Sequence, residues 1–171
     1  MRTGGRQARR PRASEASALG ASGWEPVPVS RRLKDGDMVM LGGTTLRAIH
    51  APGHTQGATI WMTTVEDDGR RYSVAFFTTT TPNPGVPLFD NPRHRNVIED
   101  TRNTFRKLAA ERQPDIVLVG HPQAMFAQTA ERMRKGERPH PLLNGADAWT
   151  QQLAVAEADF QRRVAQEQPR R

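Results

Sequence analysis

The sequence predicts a mixed α/β (α+β) chain, with a strand meander first and helices flanking one further strand after it. Three observations carry that prediction. Between residues 38 and 78, short apolar or alternating runs are divided by Gly-Gly, Pro-Gly and Asp-Gly pairs, the signature of strands and tight turns. From Val97 onward the apolar residues instead recur at helical spacing. One brief run, D-I-V-L-V-G at 115–120, interrupts that helical text and reads as a buried strand.

Residues 1–30 have no hydrophobic period and are rich in Arg, Gly, Ser and Ala, so they are expected to form a disordered basic leader. The remainder, 31–171, is expected to be one domain. Residues 1–32 hold seven arginines against Glu15 and Glu25, which leaves +2 of the formal +7 charge for the other 139 residues. A nucleic-acid-binding domain would show its basic face within the folded part, and none is visible. No 18-residue apolar run exists, so no membrane-spanning helix is expected. The chain has no Cys, which excludes disulfides and thiolate metal sites and leaves His, Asp and Glu as candidate ligands.

The elements follow in order. A turn at Asp35-Gly36 leads to a strand at 38–41, a Gly42-Gly43 hairpin and a strand at 44–49. Pro52-Gly53 then builds a corner that delivers His54 at a strand tip, because Pro fixes φ and Gly accepts unusual φ. Strands at 58–65 and 72–78 flank a turn at 66–69. In the second of these strands both faces are apolar, so it is expected to be covered on both sides. Three prolines and a glycine make 78–87 a loop studded with hydroxyls. Val97, Ile98, Thr101, Phe105 and Leu108 mark a helix that continues to Arg112. A strand at 115–120 ends in His121-Pro122. A helix at 123–135 follows, and a last one runs from about Asp147 with Trp149, Leu153, Ala156, Phe160 and Val164 on one stripe.

Two histidines stand out for a geometric reason. His54 and His121 each follow a strand directly, and if those strands share a sheet and a direction both rings gather at one edge. His94 and His140 sit beside prolines and arginines in polar loops and are expected to be solvated. Alternation turns His50 away from His54, so it is expected to support the site at most from behind.

The run H-A-P-G-H-T-Q-G-A-T-I-W at 50–61 resembles the third zinc-binding motif of the metallo-β-lactamase superfamily. N-P-G at 83–85, D-N-P at 90–92, I-E-D-T-R-N-T-F at 98–105 and V-L-V-G-H-P at 117–122 resemble subclass B3 of those zinc β-lactamases. The resemblance covers about residues 31–168. It implies an αβ/βα sandwich, of which this chain would be the C-terminal half: a mostly antiparallel sheet with helices packed on one side. It also implies two Zn2+ ions on the sheet edge and a zinc-bound hydroxide that attacks the lactam carbonyl of a small-molecule β-lactam. Matched residue by residue, His54 is similar to the last ligand of the first zinc and His121 to the last ligand of the second. Thr79, Thr80 and Thr81 are similar to the hydroxyl residues that meet the substrate carboxylate or a zinc-bound water.

The superfamily's main zinc signature, H-x-H-x-D-H, is nowhere in this chain. One matched His per zinc closes neither site, so the chain alone is expected to be inactive. Such a truncated domain, the product expected of a frameshift or an internal start, leaves a sheet face uncovered, and the chain is expected to be marginal or self-associating through it. Intact relatives are typically periplasmic, yet no signal-peptide pattern is read here. Two alternatives stay open: another hydrolase of the superfamily (lactonase, thioesterase or phosphodiesterase), or a non-catalytic interaction module with a basic tail.

Overall fold

The computed structural model describes residues 28–120, 124–143 and 145–169. The basic leader as far as position 27 lies outside those residues, and so does His121. The chain order is β1 (Met38–Leu41), β2 (Thr44–His50), β3 (Thr59–Asp67), β4 (Arg70–Phe77), α1 (Val97–Ala110), β5 (Ile116–Val119), α2 (Ala124–Arg134) and α3 (Gly145–Glu167). The strands form one sheet in the order β1-β2-β3-β4-β5. The first three pairings are antiparallel and β4 pairs with β5 in parallel. The long connection between β4 and β5, which contains α1, makes that parallel pairing accessible.

Two hairpins set the register. Gly42 and Gly43 have φ of 54° and 81°, and Asp68 and Gly69 have 50° and 72°. Left-handed φ at both central residues gives a twist that matches the strands, so two residues suffice for each turn. Asp67 therefore pairs directly with Arg70. The turn expected at 66–69 thus shrinks to Asp68-Gly69, and both flanking strands grow toward it. The last helix likewise begins at Gly145 rather than about Asp147. The Gly145 N–H donates to Asp115 O at 3.0 Å. A Cβ there would lie 2.4 Å from Pro114 O, so glycine lets α3 start against the foot of β5.

Helices cover one face of the sheet. Ile49, Ile60, Ala75 and Phe77 from the strands join Phe105 and Leu108 of α1 and Trp149, Leu153 and Phe160 of α3 in a single core. Trp149 meets Phe77 edge-on at 5.3 Å, and its indole N–H donates to Leu108 O at 3.1 Å. That bond satisfies the one polar group of a side chain that is otherwise pure hydrophobic bulk.

The other face is open. Ala48 and Val74 are buried there, but Val65 is 42% exposed and Phe76 is 44% exposed, with Trp61 and Leu118 half-buried beside them. Both faces of β4 were expected to be covered from their apolar alternation. Phe76 corrects that expectation: at 44% exposed it lacks the cover that Phe77 has on the other face, so an apolar pattern on both faces is matched by full cover on only one.

Candidate functional site

β2, β4 and β5 run in the same direction, so their C-terminal ends share one edge of the sheet. That edge carries the chain from β2 into the His54 corner, from β4 into the threonine run and from β5 into Gly120. Gly120 N–H donates to Phe77 O at 3.3 Å, which sets the end of β5 beside the end of β4. The strands leading to His54 and His121 thus share a sheet and a direction. His121 itself lies outside the described residues.

The corner is built by close backbone approach. Ala51 N–H donates to Ala58 O at 2.8 Å, closing the neck of the turn. A Cβ on Gly53 would fall 2.0 Å from Thr80 O, so only glycine lets the turn lie against the threonine run. Thr104 of α1 donates its hydroxyl to Pro52 O at 2.7 Å, fixing the turn from the helix side.

His54 is half-buried, and its Nδ1 lies 3.0 Å from Thr81 O. A carbonyl can only accept, so Nδ1 carries the proton and Nε2 keeps its lone pair. This is the arrangement of a metal-ligating histidine, whose second nitrogen is held by a carbonyl or carboxylate. The three threonines divide their roles. Thr79 is exposed, Thr81 supplies the carbonyl to His54, and Thr80 is 2% exposed with no hydrogen-bond partner for its Oγ1 among the described residues. Its carbonyl lies directly against Gly53, so the residue is enclosed by the corner.

His50 is exposed and donates from Nε2 to Gln56 O at 2.7 Å, bracing the turn from outside. Its own N–H donates to Asp35 at 2.7 Å, and Lys107 Nζ reaches both His50 O at 2.7 Å and Asp35 at 3.0 Å. Burial pushes the Asp35 carboxyl up, but the hydrogen bonds from Lys107 and from the His50 N–H outweigh it and hold it below its ordinary value.

Two features had no clear signal in the sequence. His94 was expected to be solvated and is 2% exposed instead, its Nε2 lying 2.7 Å from Asp100 of α1. The helix packs back over the loop, which removes the ring from water and gives it a partner. Arg163 of α3 donates to Pro82 O at 2.7 Å and Val86 O at 3.0 Å, while Glu167 accepts the Leu88 N–H at 3.0 Å. The last helix therefore clamps the loop that forms the wall beyond the threonines. His140 is partly buried in its loop, its Nδ1 accepting the Leu142 N–H at 3.3 Å.

Among the described residues no three His, Cys, Asp or Glu side chains gather as a metal site. A zinc site needs three or four ligands, so the described residues do not complete one. His54 stands by itself in this respect, its Nδ1 held by the Thr81 carbonyl.

No protein-family model matches the sequence. Solved structures do. A metallo-β-lactamase of Cronobacter sakazakii described by its HARLDQ motif is 32% identical, superposes with a TM-score of 0.73 and covers 85% of this chain. The subclass B3 enzyme BJP-1 of Bradyrhizobium japonicum is 31% identical over 84% of this chain, with a TM-score of 0.70. The native metallo-β-lactamase FEZ-1 of Legionella gormanii is 28% identical over 86%, with a TM-score of 0.71. This chain covers 54%, 53% and 55% of those three, so it spans a little over half of their length. The strand meander, the His54 corner and these matches agree: the chain carries part of the metallo-β-lactamase fold and is similar to the subclass B3 enzymes of that superfamily.

Proposed function

We propose that this chain descends from zinc-dependent hydrolases of β-lactams, that His54 and His121 are the zinc ligands it retains, and that it does not hydrolyse by itself. The observation that carries the reading is the bond from His54 Nδ1 to Thr81 O, which leaves Nε2 as the nitrogen able to act as a ligand. In a complete site zinc supplies a nucleophile from water near neutral pH. The residues of this chain contribute less than that. His54 is held ready by Thr81, Gly53 permits the approach, and Thr79 is the exposed threonine of the run, the one we assign to the substrate. The missing H-x-H-x-D-H ligands account for the expected inactivity.

Metal analysis and a nitrocefin assay on the purified chain, with zinc added, test this. Weak zinc binding that falls further in His54→Ala and His121→Ala, without turnover, is the expected result. Two tightly held zinc ions per chain, or nitrocefin turnover that disappears in those variants, would overturn the incomplete-site reading. Zinc uptake indifferent to both substitutions would remove the ligand assignment.

A second reading rests on a separate observation, the open sheet face with Phe76 44% exposed. The same proposal therefore includes self-association through that face, since an apolar surface of this kind favours burial against a like surface.

A further inference from the structure

We propose that the cavity at the foot of α1, lined by Gln56, Arg93, His94, Arg95, Asn96 and Asp100, binds a small oxyanion, a phosphate or carboxylate group carried on a small molecule. The cavity holds about 290 Å³ and its walls are largely polar. It lies apart from the metal-ligand assignment of His54 and does not depend on it.

Charge is the first argument. Arg93 and Arg95 are exposed, and neither guanidinium makes a hydrogen bond or ion pair among the described residues. The two acidic groups of the first turn of α1 are both engaged: Glu99 pairs with Arg106 at 2.9 Å, and Asp100 faces His94 at 2.7 Å. Asp100 also lines the cavity, so the two free guanidiniums stand against one carboxylate, which already accepts from His94, and the balance there stays positive. Guanidinium groups present forked donors that match phosphate and carboxylate oxygens.

Donor geometry is the second. His94 is 2% exposed and lines the cavity, with Nε2 committed to Asp100. Its Nδ1 has no partner, yet Thr80 Oγ1 is the one sealed and unpaired side-chain polar atom among the described residues, so Nδ1 is not sealed off. With Nε2 donating to the Asp100 carboxylate, Nδ1 of the neutral ring is an acceptor, which a protonated oxygen of the anion, such as the P–OH of hydrogenphosphate, can meet. The N-cap Asn96 makes no side-chain cap bond; the Val97 N–H is taken by His94 O at 3.1 Å, which leaves the Ile98 and Glu99 N–H groups of the first turn of α1 at this spot.

Rigidity is the third. Asn91 Oδ1 accepts the N–H groups of both Arg93 and His94 at 3.0 Å, and Asn91 Nδ2 donates to Pro87 O at 2.9 Å. Gln56 Nε2 donates to Arg93 O at 3.1 Å from the opposite wall. The loop that carries both arginines is thus held before any ligand arrives, which lowers the cost of binding.

Equilibrium dialysis of the full chain against inorganic phosphate, with ionic strength held constant by chloride, tests the site. Saturable uptake near one per chain is expected, weakened at least about tenfold in the Arg93→Gln/Arg95→Gln double variant, since two charged donors are lost. Both substitutions are on exposed side chains and leave the fold intact. A parallel arm adds acetate: competition shows that a carboxylate suffices, and lack of competition shows that phosphate is required; either upholds the site. Uptake that never saturates, or that is the same in the double variant, overturns it.

Discussion

The two faces of the sheet are made by the same strands and have opposite fates. On β4, Phe77 is 7% exposed under the helices and its neighbour Phe76 is 44% exposed on the far side. The covered face has an internal account of its own: Trp149 is edge-on to Phe77, Phe105 tilts against Phe160, and the indole N–H is satisfied. The open face has similar residue types and less cover. Hydrophobic pattern therefore says which residues favour burial, and only the packing says which of them achieve it.

The sharpest test compares one large aromatic from each face. Trp149→Ala should cost about 3–5 kcal/mol, because it empties the centre of a packed core. Phe76→Ala should cost less than about 1 kcal/mol in the monomer, since little of its contact is lost. Urea unfolding of both variants measures the difference. Equal losses would mean that the open face is covered in solution.

Next in size is a pair of glycines in one turn. Gly53→Ala would place a Cβ 2.0 Å from Thr80 O, whereas a Cβ on Gly57 meets nothing within 4 Å. Overpacking at Gly53 should cost about 1–3 kcal/mol, and Gly57→Ala should fall within roughly half a kcal/mol of the native chain. If both are silent, the His54 corner is not pressed against the threonine run.

A smaller effect separates the faces by association. Phe76→Lys puts a charge in the middle of the open face and should shift sedimentation velocity profiles toward the monomer. The same change at exposed Glu157 on α3 should leave them alone. Unaltered oligomer with Phe76→Lys would break the link between the open face and self-association.

The smallest effect is in acid. The Ser73 hydroxyl and N–H both donate to Asp115 at 2.7 Å and hold its carboxyl below the ordinary range. A depressed folded value means that stability is fully present above the unfolded carboxylate pKa, about 3.9, and is lost as pH falls through the folded one. Ser73→Ala should flatten that acid-side fall without changing its direction. Thermal unfolding across pH 2–6 would show it, and an unchanged profile would mean that the hydroxyl contributes nothing.

The sequence made most of this legible where the signal is local. Alternation and Gly pairs mark the meander, helical spacing marks α1 and α3, and Pro52-Gly53 places His54 at a strand tip. What stayed hidden is non-local. His94 sits among Pro92, Arg93 and Arg95, which look like a solvated loop, and its partner Asp100 lies one turn into the next helix. Arg163 reads as one more charge on an exposed face, because the carbonyls it holds are about 80 positions earlier. The uncovered side of β4 was hidden for the opposite reason: apolar residues there look the same whether or not a layer arrives. His121 and the threonine hydroxyls remain assignments of likeness, to be decided by the metal analysis.

The Arg163–Glu167 clamp also has a consequence for the order of assembly. The segment from Pro82 to Leu88 is synthesised well before the helix that fastens it, with contact separations of 77 to 81 residues. Contacts so distant along the chain close late, after local hairpins have formed. On the ribosome, the rim beside the histidine would stay loose until nearly the last turn of α3 has emerged.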